Sequence, residues 1–495
     1  MPALGLGLGL ALSPSLDSEK LSLDLQFATD KTLTARKGPT PTFTRASNNA
    51  TYYGPLIDVS EGNIGTLTAL TTTTVTAGRA SWFKSSGGVD VTVYYDGSRW
   101  VVDIVELGGG SNHQAALGSE FRPEQANWSG SGASVTTSST FGIVRSAINE
   151  PRFDHDPVTL ACKGLLIEES RTNLFTDSNP NNWGAARLSQ TPTSGLGFPN
   201  NASILEGTSL GSQYIYRGTS ITVGLTYTIS CRVKAGTATT LGFTDFLTGA
   251  ASRNFNADTG EWPSSGGSLI YSQYASTELT NGWHLISFAY TPTGATGTRN
   301  LGFQVNDSPQ VIGATFFIDT PQLEAGAFPT SYIPTTGAAL TRSADVCSVT
   351  TAGWSNAGND TMLAEYFVST ATSGVVIVEG SPVVSWMSLS FSTSNRQRNI
   401  YRHGGTSTRF DATTDNNSVS LININKTALT SGEQLALNGS LSQTVASEIP
   451  QADISTSLSI GSRGNGASLF LNGHIARIKY FKKRLANAKL QAITT

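Results

Sequence analysis

Apolar residues in this chain recur at every second position, in short runs that Gly, Pro and Asn interrupt. Val89, Val91, Val93 and Tyr95 share one face of such a run. Tyr227, Ile229, Cys231 and Val233 share a face of TYTISCRVKAG (226–236). In GWHLISFAYTP (282–292), Trp283, Leu285, Ser287 and Ala289 oppose His284, Ile286, Phe288 and Tyr290. A period of two marks a strand. Both faces of the last run are largely apolar, which fits a central strand of a two-sheet sandwich. Asp96-Gly97, Asn438-Gly439 and Asn472-Gly473 are two-residue hairpin signals. Charged residues are 14% of the chain, against ~25% in ordinary soluble domains, so long solvated helices are not expected. The expected fold class is all-β, with tandem β-sandwiches and a short helix at 486–493 near the end.

The length of 495 residues corresponds to roughly three domains. Residues 1–40 read as an N-terminal arm. Leu4, Leu6, Leu8, Leu10 and Leu12 alternate with Gly or Ala, a pattern suited to adding a strand to a partner's sheet. Leu4, Leu6, Leu8 and Leu10 are the expected assembly interface, with a frayed terminus as the alternative. Residues 41–59 and 141–175 read as two halves of a split connector. Between them, 60–140 reads as an inserted β-module crowded with Trp82, Phe83, Tyr94, Tyr95, Trp100 and Trp128. Such rings can stack on sugar faces, but a module this small also needs aromatic residues to build any core. Residues 176–343 carry the strand and turn spacing of a jelly roll. Residues 344–495 form a second strand-rich unit.

Charge concentrates in NEPRFDHDPVTLACKGLLIEESRTNLF (149–175). In an extended segment Asp154 and Asp156 share one face and His155 takes the other, which is poor geometry for convergent metal ligands. Glu168 and Glu169 point apart for the same reason. Arg152, Asp154, Asp156, Glu168, Glu169 and Arg171 are therefore expected to form charge-assisted hydrogen bonds that lock a structural hub. Cys162, Cys231 and Cys347 have no CxxC spacing and read as free thiols. No metal, cofactor or catalytic residue is expected. The net charge of −3 leaves no basic footprint for nucleic acid, and no apolar run approaches the ~20 residues of a membrane span. Lys482-Lys483-Arg484 reads as a solvated edge that discourages strand pairing. Trp183 and Trp262 lie in polar stretches and are the best-placed rings for stacking on a ligand.

FTRASNNATYYG (43–54) and PRFDHDP…GLLIEE…RTNLF (151–175) together resemble a signature of tailed-phage structural proteins of the tail- or head-fibre type. In those proteins the two segments stand close together, whereas here residues 60–140 separate them. YTISCRVKAG…NGWHLISFAYTP…EAGAFPTSYIPT resembles the carbohydrate-binding-module jelly rolls that follow the signature. GSR, then a strand with Asn-Gly, then HIARIKYFKKRLANAKLQAI resembles the end of laminin-G/concanavalin-like sandwiches, with Ile475, Ile478 and Tyr480 in a closing strand. Glucanases of that fold carry E-x-D-x-E on one strand. This chain has no such triplet, and it is not expected to be an enzyme.

The resemblance implies a virion protein joined to other virion proteins through its N-terminal region. Its C-terminal sandwiches would contact a bacterial surface glycan, as a homo-oligomer, a trimer by analogy with phage fibres. A purely structural head-decoration, collar or tail role is one alternative, and a surface-glycan depolymerase is another.

Overall fold

The computed structural model describes residues 21–495, apart from 62–64, 77–78, 87–88, 97, 107–110, 117–121, 124–125, 127, 129–132, 196–201, 248–252, 264–270, 308, 356–360, 369–373, 382–384, 392–396, 404–405, 413–424, 431–434, 442–455, 465 and 467. Leu4, Leu6, Leu8 and Leu10 lie outside the described residues. Among the described residues the chain is all-β, with short helices only. Two compact units form. One comprises Phe43–Val346 and Leu471–His474. The other comprises the residues up to Thr42, Cys347–Phe470 and Ile475–Thr495.

In the first unit, the Ala50–Glu61 strand runs across the boundary expected at residue 60. It pairs antiparallel with Ala133–Ser146, from Ala50↔Ser146 to Glu61↔Ala133. A register shift falls between Pro55 and Ile57, as expected where proline cannot donate to the ladder. From Glu61 the chain meanders through Gly65–Thr76, Arg79–Ser86, Val89–Tyr95, Trp100–Glu106 and Ser111–Ala115, each beside its predecessor. Trp82, Tyr95, Trp100 and Trp128 are buried in one core with Val91, Val93 and Ile104. Those rings build the core of the sheet. The turn after Tyr95 is centred one residue later than the Asp96-Gly97 pair. Asp96 donates its N–H to the Arg99 carbonyl, and its carboxylate accepts from the Ser98 and Arg99 N–H groups.

Eleven further strands of this unit form a jelly roll: β1 (Gly184–Ala186), β2 (Leu188–Thr193), β3 (Ala202–Gly207), β4 (Gln213–Ile221), β5 (Tyr227–Ala235), β6 (Thr240–Asp245), β7 (Arg253–Asn256), β8 (Tyr271–Glu278), β9 (Trp283–Tyr290), β10 (Gly297–Val305) and β11 (Thr315–Ala325). One sheet has the order β1-β4-β10-β6-β7, and the other β2-β3-β11-β5-β9-β8. Ile229, Cys231 and Val233 meet Phe243, Leu301 and Phe303 in the shared core. A buried Asp245 carboxylate takes hydrogen bonds from Tyr290 Oη at 2.5 Å and Arg299 Nη1 at 2.6 Å.

The signature segments meet at Asp345. Its Oδ1 lies 3.2 Å from Arg45 Nη1, and its Oδ2 binds Arg152 Nη2 and accepts from the Glu168 N–H at 3.0 Å. Glu168 Oε2 lies 2.8 Å from Arg152 Nη1 and 3.6 Å from Arg342 Nη2. Ser331 adds an N–H and a hydroxyl to the Glu168 carboxylate. Arg45 also donates to the carbonyls of Ala147 and Glu150. The side chains of Arg45, Arg152, Arg342 and Asp345 are fully buried. Arg45, Glu150, Arg342 and Asp345 were not singled out by the sequence. Asp154 Oδ1 accepts from the Tyr53 N–H, and its Oδ2 lies 2.7 Å from His474 Nε2 and 2.9 Å from Lys163 Nζ. Asp156 instead caps the next turn through the N–H groups of Val158 and Thr159. Glu169 holds Arg171 at 2.6 Å, and that guanidinium stands over the Phe328 ring.

In the second unit, Val346–Thr350, Ser457–Ile460, Gly374–Ser381, Ser385–Phe391, Gln397–His403 and Thr406–Ala412 lie side by side in that order. Thr361–Val368 pairs with Asn425–Thr430 in the other sheet. Leu437 closes on Ser440 around Asn438 and Gly439, both at positive φ, as a type I′ hairpin requires. Asn472-Gly473 is no hairpin. The Asn472 carboxamide accepts the Glu169 N–H instead, and Gly473 opens the closing strand Gly473–Phe481. Ile475, Ile478 and Tyr480 are buried in that strand, and the last helix spans Asn487–Thr494. Residues 21–42 depart from the expected arm. Leu21–Leu25 pairs with Phe481–Ile478, because Leu23, Leu25 and Phe27 are fully buried.

Removing one partner of a buried ion pair leaves uncompensated charge and costs about 3–5 kcal/mol. Asp345→Ala is therefore expected to lower the unfolding free energy by about that amount, read by urea denaturation. An unchanged midpoint would contradict the network. The pH dependence has a definite sign. Burial alone would raise the Glu168 carboxyl from 4.5, but Arg342, Arg152 and Ser331 outweigh burial and hold it at about 2. Burial likewise opposes ionisation of Asp154, and Lys163 and His474 hold it far below the carboxylate range. Carboxyls lowered on folding stabilise above their unfolded value and lose that contribution as pH falls through the folded one. The urea midpoint should therefore fall steeply between pH ~4.5 and ~2. A midpoint flat across that range would count against it.

Candidate functional site

The outer face of the β1-β4-β10-β6-β7 sheet is built by strand alternation. In QYIYRG (213–218), Ile215 points into the core, so Tyr214 and Tyr216 point out. In TLGFTD (240–245), Leu241 and Phe243 are core residues. Thr240, Gly242, Thr244 and then Phe246 fall on the outer side.

Register fixes which outer residues stand abreast. Ala186, Tyr214, Gln304, Gly242 and Asn254 form one row across all five strands. Gly184, Tyr216, Gly302 and Thr244 form the next. Gly218 and Asn300 follow, and the Phe246 N–H donates to the Asn300 carbonyl.

Three rings gather at one end. Tyr214 and Phe246 have centroids 4.4 Å apart, Tyr214 and Tyr216 5.9 Å, and Tyr216 and Phe246 6.2 Å. Two glycines let them lie on the sheet. A Cβ at Gly184 would stand 2.6 Å from the Tyr216 ring, and one at Gly302 would stand 2.7 Å from the Phe246 ring. All three rings are half-buried, and Gly184, Gly218 and Asn300 are exposed. At the other end runs a chain of amides. Gln304 Nε2 donates to Asn306 Oδ1 at 3.2 Å, and Asn306 Nδ2 donates to Asn254 Oδ1 at 2.8 Å. Flat apolar rings beside groups that both donate and accept suit a ligand with apolar faces and hydroxyl edges.

The two tryptophans expected to stack on a ligand are placed elsewhere. Trp183 is buried. Its ring lies 4.8 Å from Phe175 and 5.9 Å from Phe303, and its Nε1 donates to the Asp177 carbonyl. The polar run NPNNW folds as a short 3-10 turn capped by Asn179, which delivers Trp183 to the core. Trp262 is half-buried and packs on Phe255, Tyr274 and Phe288 at 5.0, 5.1 and 5.5 Å. Both rings make internal contacts. The alternation in QYIYRG was the signal that would have found Tyr214 and Tyr216.

The chemistry of the hub is structural in its geometry. Asp154 and Asp156 bind different partners, and His155 is buried against the Phe141 ring. Glu324 accepts from Thr330 and Gln322. Among the described residues no group of three or more His, Cys, Asp or Glu could hold a metal ion.

No family model matches this chain, and no curated protein matches it. Solved structures give faint likenesses. A SAP-like pentraxin from Limulus polyphemus aligns over 28% of this chain and 70% of its own, at 9% identity and a TM-score of 0.22. Trypanosoma rangeli sialidase in complex with sialic acid aligns over 92% of this chain and 98% of its own, at 12% identity and a TM-score of 0.22. The LG1-3 region of the laminin alpha2 chain aligns over 89% of this chain and 91% of its own, at 9% identity and a TM-score of 0.19. Likenesses at these scores carry no argument, and the assignment of all-β sandwiches rests on the strand topology.

Truncating a buried tryptophan costs about 3–5 kcal/mol. Trp183→Ala is expected to lower thermal stability by that order. A variant that melts like the parent would return Trp183 to the surface.

Proposed function

We propose that this chain is a structural protein of a tailed-phage particle and contacts a host-surface glycan through the outer face of the five-stranded sheet. The observation that carries the glycan contact is the platform of Tyr214, Tyr216 and Phe246 beside the Gln304–Asn306–Asn254 amides. Sugar rings offer apolar C–H faces to aromatic rings and hydroxyl edges to amides. The virion assignment rests on the FTRAS and PRFD segments. What supports it is that both have one physical job: Arg45 of the first and Arg152 of the second share the Asp345 carboxylate. In this reading the N-terminal region joins other virion proteins. A homo-oligomer, a trimer by analogy with fibres, raises weak single-site affinity by ~10²–10⁴ through effective concentration.

A glycan array combined with a reducing-sugar release assay tests the reading. Binding without release is expected. Release would make the protein a depolymerase, and neither binding nor release would leave it a purely structural component. Tyr216→Ala should weaken binding about tenfold, or about 1.4 kcal/mol, while the melting temperature stays within a few degrees. Unchanged affinity in that variant would remove this face from the reading.

A further inference from the structure

Resting on that glycan-contact reading, we infer that the face takes an uncharged oligosaccharide of two to three rings, laid across the strands. The absence of charge comes from the register. Among the described side chains, the rows Ala186–Tyr214–Gln304–Gly242–Asn254, Gly184–Tyr216–Gly302–Thr244 and Gly218–Asn300 contain no acid and no base. Among the described side chains, the charged residues on the same strands are turned away or engaged. Asp245 is buried with Tyr290 and Arg299. Arg217 donates to Thr176 Oγ1 and the Asn182 carbonyl. Asp307, just after β10, accepts the Thr239 and Thr240 N–H groups.

This matters for the ligand class. A carboxylate or sulfate pressed against such a face would lose water and find no cation to replace it, which is costly. A hydroxyl meets no such penalty, because it donates and accepts, as Asn and Gln side chains do.

Length and direction follow from the row that joins the two ends of the site. Tyr214 stands on β4 and Asn254 on β7, with Gln304 on β10 and Gly242 on β6 between them. Three strand steps of ~4.8 Å give about 14 Å, the length of two to three sugar rings. The ligand therefore runs along the row, stacked on the tyrosines at one end and hydrogen-bonded to amides at the other. β7 is the edge of the sheet. Among the described residues, rings beyond Asn254 meet no further row.

The test uses the full chain and isothermal titration with gluco-, manno- and galacto-oligosaccharide ladders, and with oligogalacturonate as the acidic probe. Affinity is expected to rise up to the trisaccharide of the preferred neutral ladder and change less than about twofold with longer chains. It should also move less than about twofold between ~50 mM and ~500 mM NaCl, a range that removes most exposed charge–charge attraction. Tyr216→Ala and, as a second variant, Asn254→Ala should each weaken trisaccharide binding several-fold. Salt-sensitive oligogalacturonate binding that requires Tyr216 would overturn the uncharged class and leave the glycan reading standing. Affinity that keeps climbing past the trisaccharide would overturn the length. No binding of any array glycan would overturn the glycan reading itself, and this inference with it.

Discussion

One carboxylate holds the first unit together. Asp345 receives Arg45 on one oxygen, and Arg152 and the Glu168 N–H on the other, with its side chain fully buried. Burying an ion in a protein interior costs several kcal/mol even after relaxation. That cost is offset where the buried charges are paired and hydrogen-bonded. Here Glu168 and Glu150 supply further negative charge, and Ser331, Ser146 and the carbonyls of Thr51, Ala147 and Glu150 take further Nη donors of Arg45 and Arg152, while Arg152 Nε has no hydrogen-bond partner among the described residues. Segments near residues 45, 150, 168, 331 and 345 must all be in place at once. The arrangement acts as an all-or-none fastener, and it specifies one way for these distant pieces to meet.

The jelly roll grows directly from that fastener. Arg171–Asn173 pairs with Leu340–Arg342, so the domain leaves and re-enters the hub on adjacent strands. Asn173 then reaches into the sandwich, accepting from the Leu323 N–H and donating to the Ile333 carbonyl. The outer face of the β1-β4-β10-β6-β7 sheet inherits its rigidity from this frame and from the core below it. Its rings are positioned by register, and Gly184 and Gly302 give them room to lie flat. Tyr214 and Tyr216 are thus set by strand β4, and Phe246 follows directly on β6.

Much of this was legible in the sequence, for identifiable reasons. The period of two located the strands around 89–95, 227–235 and 283–290, because one apolar face per strand leaves a regular trace. Asn438-Gly439 announced its hairpin because two consecutive positive-φ residues have few other uses. Asn472-Gly473 carried the same letters and did something else: its carboxamide was needed by Glu169, a contact across about 300 residues of chain. Asp345 was invisible for the same reason. It is a lone acid in RSADVC, and its partners lie near positions 45, 152 and 168. Trp183 was misplaced because its neighbours are polar, yet those neighbours form the turn that buries it. Local pattern reports faces and turns, while the partners of buried polar groups are set by topology.

The Ala50–Glu61 and Ala133–Ser146 strands leave and return side by side, closing at Glu61↔Ala133. The next strand, Gly65–Thr76, pairs along Ala50–Glu61 itself, from Ile57↔Leu70 to Glu61↔Gly65. Tyr52, Ile57 and Val59 of the outgoing strand and Val135 and Val144 of the returning one are buried in one core with Trp82, Trp100 and Trp128. The stretch between the two signature segments is thus continuous with the strands that carry it, in ladder and in core, and meander and stem should melt as one.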